Sequence, residues 1–126
     1  MPMPFARDIF LIETHIAGLQ YYQAKEIKED LKPKVLLKLQ REPHNAHDSM
    51  AMEVLTLDNI KLGYVPRHRN VILARLMDAG KLLVAELVEI VKDEADEDDD
   101  YEYWSDGLSS DGFHDEIRLR ILLRDI

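Results

Sequence analysis

Leu39-Gln-Arg-Glu-Pro-His-Asn-Ala-His-Asp-Ser-Met-Ala-Met-Glu-Val54, continued by Leu55-Thr-Leu-Asp-Asn-Ile-Lys-Leu-Gly-Tyr-Val-Pro-Arg67, is the stretch that decides the fold. Val35 to Gln40 and Ala51 to Leu57 are short apolar runs that read as strands, with Met52 and Val54 sharing a face of the second. A loop carrying Pro43, His44, Asn45, His47 and Asp48 joins them. Asp58-Asn59 predicts a tight turn into a further strand, Ile60 to Val65, because Asp and Asn tolerate the positive φ angles of hairpin turns.

The flanks extend this β pattern. Ile9 to Ile16 alternates, with Ile9, Leu11 and His15 opposite Phe10, Ile12, Thr14 and Ile16, and Ala17-Gly18 ends the strand. After Tyr21-Tyr22, the segment Gln23 to Leu31 is rich in helix formers and stops at Lys32-Pro33, which predicts a short helix or helical turn. Pro66 closes the hairpin. From His68 to Ala79, Ile72, Leu73, Leu76 and Met77 recur at helical spacing, with Asn70 as the N-cap and Gly80 as the C-terminal stop. Leu82 to Val91 and Ile117 to Ile126 read as two long strands, the second with Ile117, Leu119, Ile121 and Leu123 facing away from Arg118, Arg120 and Leu122. The expected fold is mainly β, a small, partly open antiparallel barrel of about six strands with one or two short helices.

At 126 residues, the chain is expected to form a single domain over 1–126, with an acidic insertion loop at 93–116. It has no cysteine, which excludes disulfides, thiolate zinc sites and thiol catalysis and fits a reducing, cytoplasmic location. The amino terminus has no secretory pattern, and the apolar run from Leu82 is broken by Glu86 and Glu89, so no membrane association is expected. The net charge of −9 argues against a nucleic-acid partner until its distribution is considered. Twelve acids and no Lys or Arg lie between Asp93 and Glu116; the remainder carries 13 acids against 16 bases, a charge of +3.

The Arg-Glu-Pro at 41–43, Asn45, Asp48, Ala51 and Gly63-Tyr-Val-Pro66 together resemble the central signature of the HIRAN domain family. Ile16-Ala-Gly-Leu-Gln-Tyr-Tyr22 is similar to that family's upstream element at the expected distance. The resemblance spans roughly Phe10 to Val91. It implies a modified oligonucleotide-binding (OB-like) barrel, found fused to DNA translocases that remodel stalled forks and also as small free-standing bacterial proteins that this chain resembles. It further implies a module for DNA repair or replication-fork processing that captures single-stranded DNA, and in the translocase branch its free 3′ end.

The residue roles that follow are implied by the resemblance. Tyr21 and Tyr22 stand at the family's tyrosine pair, which stacks on terminal bases; neighbouring residues on a strand face opposite ways, so one is expected to be structural and the other to meet ligand. Asn45 and Asp48 stand where the family contacts the last nucleotide, the Asp accepting from the 3′-hydroxyl. Equally, Asn and Asp after a proline stabilise turns by bonding to nearby backbone N–H groups, and the sequence leaves both roles open. Arg67, beside a helix start and flanked by His68 and Arg69, stands at a phosphate-holding position. Four candidate positions depart from the pattern: Gln20 replaces an Arg, His44 an Asn, His47 a frequent Tyr, and Tyr64 stands where one DNA-binding branch has His.

No enzyme, metal or cofactor is expected. His44, His47 and Asp48 are ligand types, but their spacing on a loop lacks a second ligand pair, and the acidic run lacks the spacing of a calcium loop. Neither a nucleophile elbow nor a phosphate-binding glycine loop is present. The alternative to DNA binding is a protein-interaction adaptor, with Tyr101, Tyr103 and Trp104 of the acidic loop as contact residues.

Overall fold

In the computed structural model, residues 7–22, 24–92 and 115–125 are described, apart from the side chains of Gln20 and Asp125. Six strands form one antiparallel sheet: β1 (Arg7–His15), β2 (Leu36–Arg41), β3 (Met52–Thr56), β4 (Lys61–Tyr64), β5 (Leu83–Val91) and β6 (Glu116–Asp125). Their spatial order is β1-β6-β5-β2-β3-β4. The two edge strands meet again just past β1, where Ala17 and Tyr64 exchange backbone hydrogen bonds of 2.8 and 2.9 Å. That single bridge curls the sheet into the partly open barrel expected from the sequence, and a mainly β, OB-like architecture is what the chain adopts.

The period of two is cleanest in β6. Ile117, Leu119 and Ile121 are fully buried, while Arg118 and Arg120 face outward and pair with Glu116 and Glu86. With Leu37, Met52, Val54, Leu62, Leu83 and Leu87 these residues form the barrel interior. In β1 the alternation fails. Phe10 pairs with Leu122 but Ile12 pairs with Ile121, so Leu11 is an extra residue that shifts the register. Leu11 and Ile12 both pack partly against the core, because such a bulge turns successive side chains toward the same side. The two-faced reading of Ile9 to Ile16 is corrected accordingly.

The β3–β4 hairpin turns at Asn59, whose φ is 71°. Its backbone N–H donates to the Thr56 carbonyl, and the Thr56 hydroxyl accepts from Ile60 N–H. Between β1 and β2 lie two 3-10 segments, Leu19–Tyr21 and Ala24–Asp30.

After Pro66 a 3-10 turn, Arg67–Arg69, leads directly into helix α1 (Asn70–Asp78). Gly80 ends it as expected: with φ at 91°, its N–H donates to Met77 O while Lys81 N–H donates to Leu76 O, a Schellman closure. The helix start differs from expectation. Arg69 occupies the N-cap position without a side-chain cap, and Asn70 has helical angles (φ −91°, ψ −19°) rather than the extended ones a capping side chain needs. Its amide turns inward instead, leaving the residue 1% exposed. Of the expected apolar stripe, Leu73 is buried and Leu76 and Met77 pack partly against the core, whereas Ile72 is 72% exposed and Asn70 and Ala74 are buried in addition. Strand β6 begins at Glu116, one residue before the expected strand start.

Candidate nucleic-acid interface

The closing bridge between Ala17 and Tyr64 sets the position of a cleft of about 300 Å³. Four segments supply its walls: Tyr22 from the turn after β1, the loop between β2 and β3, the end of β4, and the start of α1. The loop is pinned at both ends. Glu42 N–H donates to Ala51 O, and Arg41 donates to the Ala51 carbonyl while its remaining N–H groups grip Asp78 at 2.9 and 3.0 Å.

Within the loop, Asn45 Oδ1 accepts from the backbone N–H groups of His47 and Asp48, and its Nδ2 donates to Glu42 Oε1. Asn45 therefore serves the turn, one of the two roles the sequence left open. Asp48 serves the turn as well, with Oδ1 accepting from Met50 N–H at 2.9 Å, while its Oδ2 accepts from Asn70 Nδ2 at 2.8 Å. Arg67 Nε lies 4.0 Å from Oδ2 on a side chain that is 78% exposed. The hydrogen bond from Asn70, then that from Met50, hold the Asp48 carboxyl below the usual carboxylate range, with Arg67 and Arg41 adding to the effect. The carboxylate is ionised at neutral pH and presents acceptors only.

The aromatic wall is built on a charged network. Tyr22 and Tyr64 meet edge to face with centroids 6.0 Å apart, and Lys61 Nζ lies 4.5 and 4.4 Å from their respective centroids. Lys61 donates to the Tyr64 hydroxyl, which donates to Glu42 Oε1 at 2.8 Å; Glu53 is 3.4 Å from the ammonium. Burial opposes the ionisation of Glu42, but hydrogen bonds from Asn45 and Tyr64 and the charge of Lys61 outweigh it and keep its carboxyl below its ordinary range. The network fixes Tyr64 at both ends of its hydroxyl, so the ring offers a preset face.

The fold thus brings together Tyr22, Asn45, His47, Asp48, Tyr64 and Arg67 from the sequence-predicted set. Tyr21 is 76% exposed and stands outside the cleft wall, so Tyr22 is the member of the pair that lines it. His44 is exposed and outside the wall as well, and the Gln20 side chain lies outside the described residues. Of the acidic insertion at 93–116, only Asp115 and Glu116 are described; the contact residues expected within it, Tyr101, Tyr103 and Trp104, lie outside the described residues. Among the described residues no group of three His, Asp or Glu is arranged to hold a metal ion, and no helix is long and apolar enough to cross a membrane. Sequence reasoning missed Asn70, Lys61 and Glu42. Asn70 follows Arg67 by three residues, the spacing that puts two side chains on one side of a helical turn.

Residues 9–105, from β1 into the acidic segment, match the HIRAN domain. The chain belongs to the HIRAN domain family. A crystal structure of a protein from Lactobacillus plantarum superposes with a TM-score of 0.73 at 24% identity, covering 96% of this chain and 99% of the other. The HIRAN domain of human HLTF superposes with a TM-score of 0.63 at 16% identity, covering 94% and 79%. At those identities the likeness establishes the fold. No curated protein sequence matches the chain. HIRAN domains are DNA-binding modules.

Proposed function

We propose that this HIRAN domain captures free 3′ ends of single-stranded DNA, as a module of DNA repair or replication-fork processing, with the last nucleotide seated between Tyr22, Tyr64, Asp48 and Arg67. The supporting observation is Asp48: an ionised carboxylate held on the wall of the cleft by Asn70 and Met50, close to one exposed arginine. A fixed anion repels the phosphates of an internal nucleotide but accepts a hydrogen bond from a terminal hydroxyl, so it discriminates ends by attraction and repulsion together. Tyr22 and Tyr64 supply faces on which bases stack without regard to sequence, worth about 1–3 kcal/mol per stacked base. Arg67, exposed at the mouth, is placed to meet the phosphate that precedes the end.

Fluorescence anisotropy of a short labelled strand at low salt tests this. A free 3′-hydroxyl strand is expected to bind at least roughly tenfold more tightly than its 3′-phosphate counterpart, since hydrogen bonds to charged groups contribute about 1.5–3 kcal/mol. Equal affinity for the two ends overturns the reading. Arg67→Ala is expected to weaken binding of all strands alike and to make the log–log salt dependence shallower by about 1, the signature of one lost phosphate contact. An unchanged salt slope would remove Arg67 from the interface.

A further inference from the structure

The buried amide of Asn70 has one atom too many for its surroundings. Its Nδ2 donates to Asp48 Oδ2 at 2.8 Å, and because an ionised carboxylate only accepts, that contact fixes which end of the amide faces it. Oδ1 is left without a hydrogen-bond partner in a residue that is 1% exposed and borders the cleft. A buried acceptor with no donor is a liability that native proteins rarely carry unless something else fills it. Asp48 retains capacity too, since each carboxylate oxygen takes two hydrogen bonds and here accepts one from the protein. Asn70 and Asp48 both line the cleft, which is therefore bordered by two neighbouring residues, linked by one hydrogen bond, whose acceptors are short of donors. His47 is exposed and the Arg67 side chain is 78% exposed, so both groups flanking the opening have room to yield to an incoming strand.

We propose that Asp48 and Asn70 form a two-acceptor seat for the vicinal 2′- and 3′-hydroxyls of a terminal ribose, so that the cleft holds a strand ending in a ribonucleotide more tightly than one ending in a deoxynucleotide. This rests on the end-capture reading and extends it from the end to the sugar. The 3′-hydroxyl donates to Asp48, as a deoxy end also does. The neighbouring 2′-hydroxyl, one carbon away, supplies the donor that Asn70 Oδ1 lacks. The 2′-hydroxyl is the group by which proteins tell RNA from DNA at a given site, and a site built to bond a hydroxyl disfavours the analogue without it.

The test uses the unmodified protein and four strands of one sequence, differing at the last residue: 2′-deoxy, ribo, 2′-O-methyl, and deoxy with a 3′-phosphate. The ribo end is expected to bind roughly fivefold to tenfold more tightly than the deoxy end, the effect of one added hydrogen bond, and the 2′-O-methyl end to lose that gain because its oxygen has no proton to donate. Equal affinity for ribo and deoxy ends, with the hydroxyl still preferred over the phosphate, overturns the proposal and leaves end capture standing. Equal affinity for hydroxyl and phosphate ends removes both. Asn70→Leu, close in shape, is read by the ribo-to-deoxy affinity ratio, which should fall to about one; if that variant does not fold, the strand series with the parent protein decides alone.

Discussion

Alanine at position 63 is expected to destabilise the protein by about 3 kcal/mol, at the upper end of ordinary overpacking, and to lower the melting temperature by roughly 10 °C for a domain of this size. A Cβ at Gly63 would stand 2.3 Å from the Ala17 carbonyl oxygen and 2.7 Å from Ile16 Cγ2. Neither neighbour can recede cheaply. The Ala17 oxygen accepts the Tyr64 N–H at 2.9 Å in the bridge that joins the sheet's edges, and Ile16 is a core residue. To admit one methyl group the barrel must open along that bridge, which would also displace Tyr64 and Tyr22 and weaken DNA binding. Gly80→Ala is the control. There a Cβ meets nothing within 4 Å, and only the positive φ of 91° is strained, at a cost of about 1–2 kcal/mol. Circular dichroism melts of both variants decide the matter; a Gly63→Ala protein that melts with the parent would show that the two edges part without penalty.

That glycine marks what the sequence reveals and what it hides. The Gly-Tyr-Val-Pro run is legible as a family element, but the reason for its glycine is a contact across 46 residues that no local pattern encodes. Strand β6 was readable because burial acts on alternate residues and the bulges in its two ladders put their extra residues in β1 and β5. Strand β1 was not, since the extra residue at Leu11 depends on the register chosen against β6. The helix was placed correctly by its periodicity and by Gly80, whereas Asn70 carries the letter of a capping residue but turns toward Asp48 once the preceding 3-10 turn gives it helical angles. For the site, resemblance pointed to Tyr22, Asp48 and Arg67, and the fold brings them to one cleft. Glu42, Lys61 and Asn70 were not legible as site residues because a charged residue at or beside a strand end ordinarily faces water and an Asn at a helix start ordinarily caps it; only the folded chain shows them bracing Tyr64 and Asp48.

Replacing Asp48 with alanine is expected to abolish the distinction between strand ends, bringing the affinities of 3′-hydroxyl and 3′-phosphate strands together from a difference of at least roughly tenfold. Two effects combine: the hydroxyl loses its acceptor, and the phosphate loses the anion that repelled it. The substitution also leaves the Asn70 amide with neither partner in a buried position, so a stability loss of about 1–3 kcal/mol accompanies it. Asp48→Asn separates the contributions, because a carbonyl remains to accept while the charge is gone; an intermediate hydroxyl preference is expected, with phosphate ends bound better than by the parent. The pH dependence follows from the sign of the shift. The Asp48 carboxyl titrates below its unfolded value, so its stabilisation is present above about pH 4 and is lost only as pH falls through the lowered folded value. The affinity for 3′-hydroxyl ends should therefore carry no Asp48 titration between pH 8 and pH 5, whereas a 3′-phosphate itself loses one charge near about pH 6. An affinity for hydroxyl ends that fades within that range, or an end preference that survives in Asp48→Ala, would assign the discrimination to another group in the cleft.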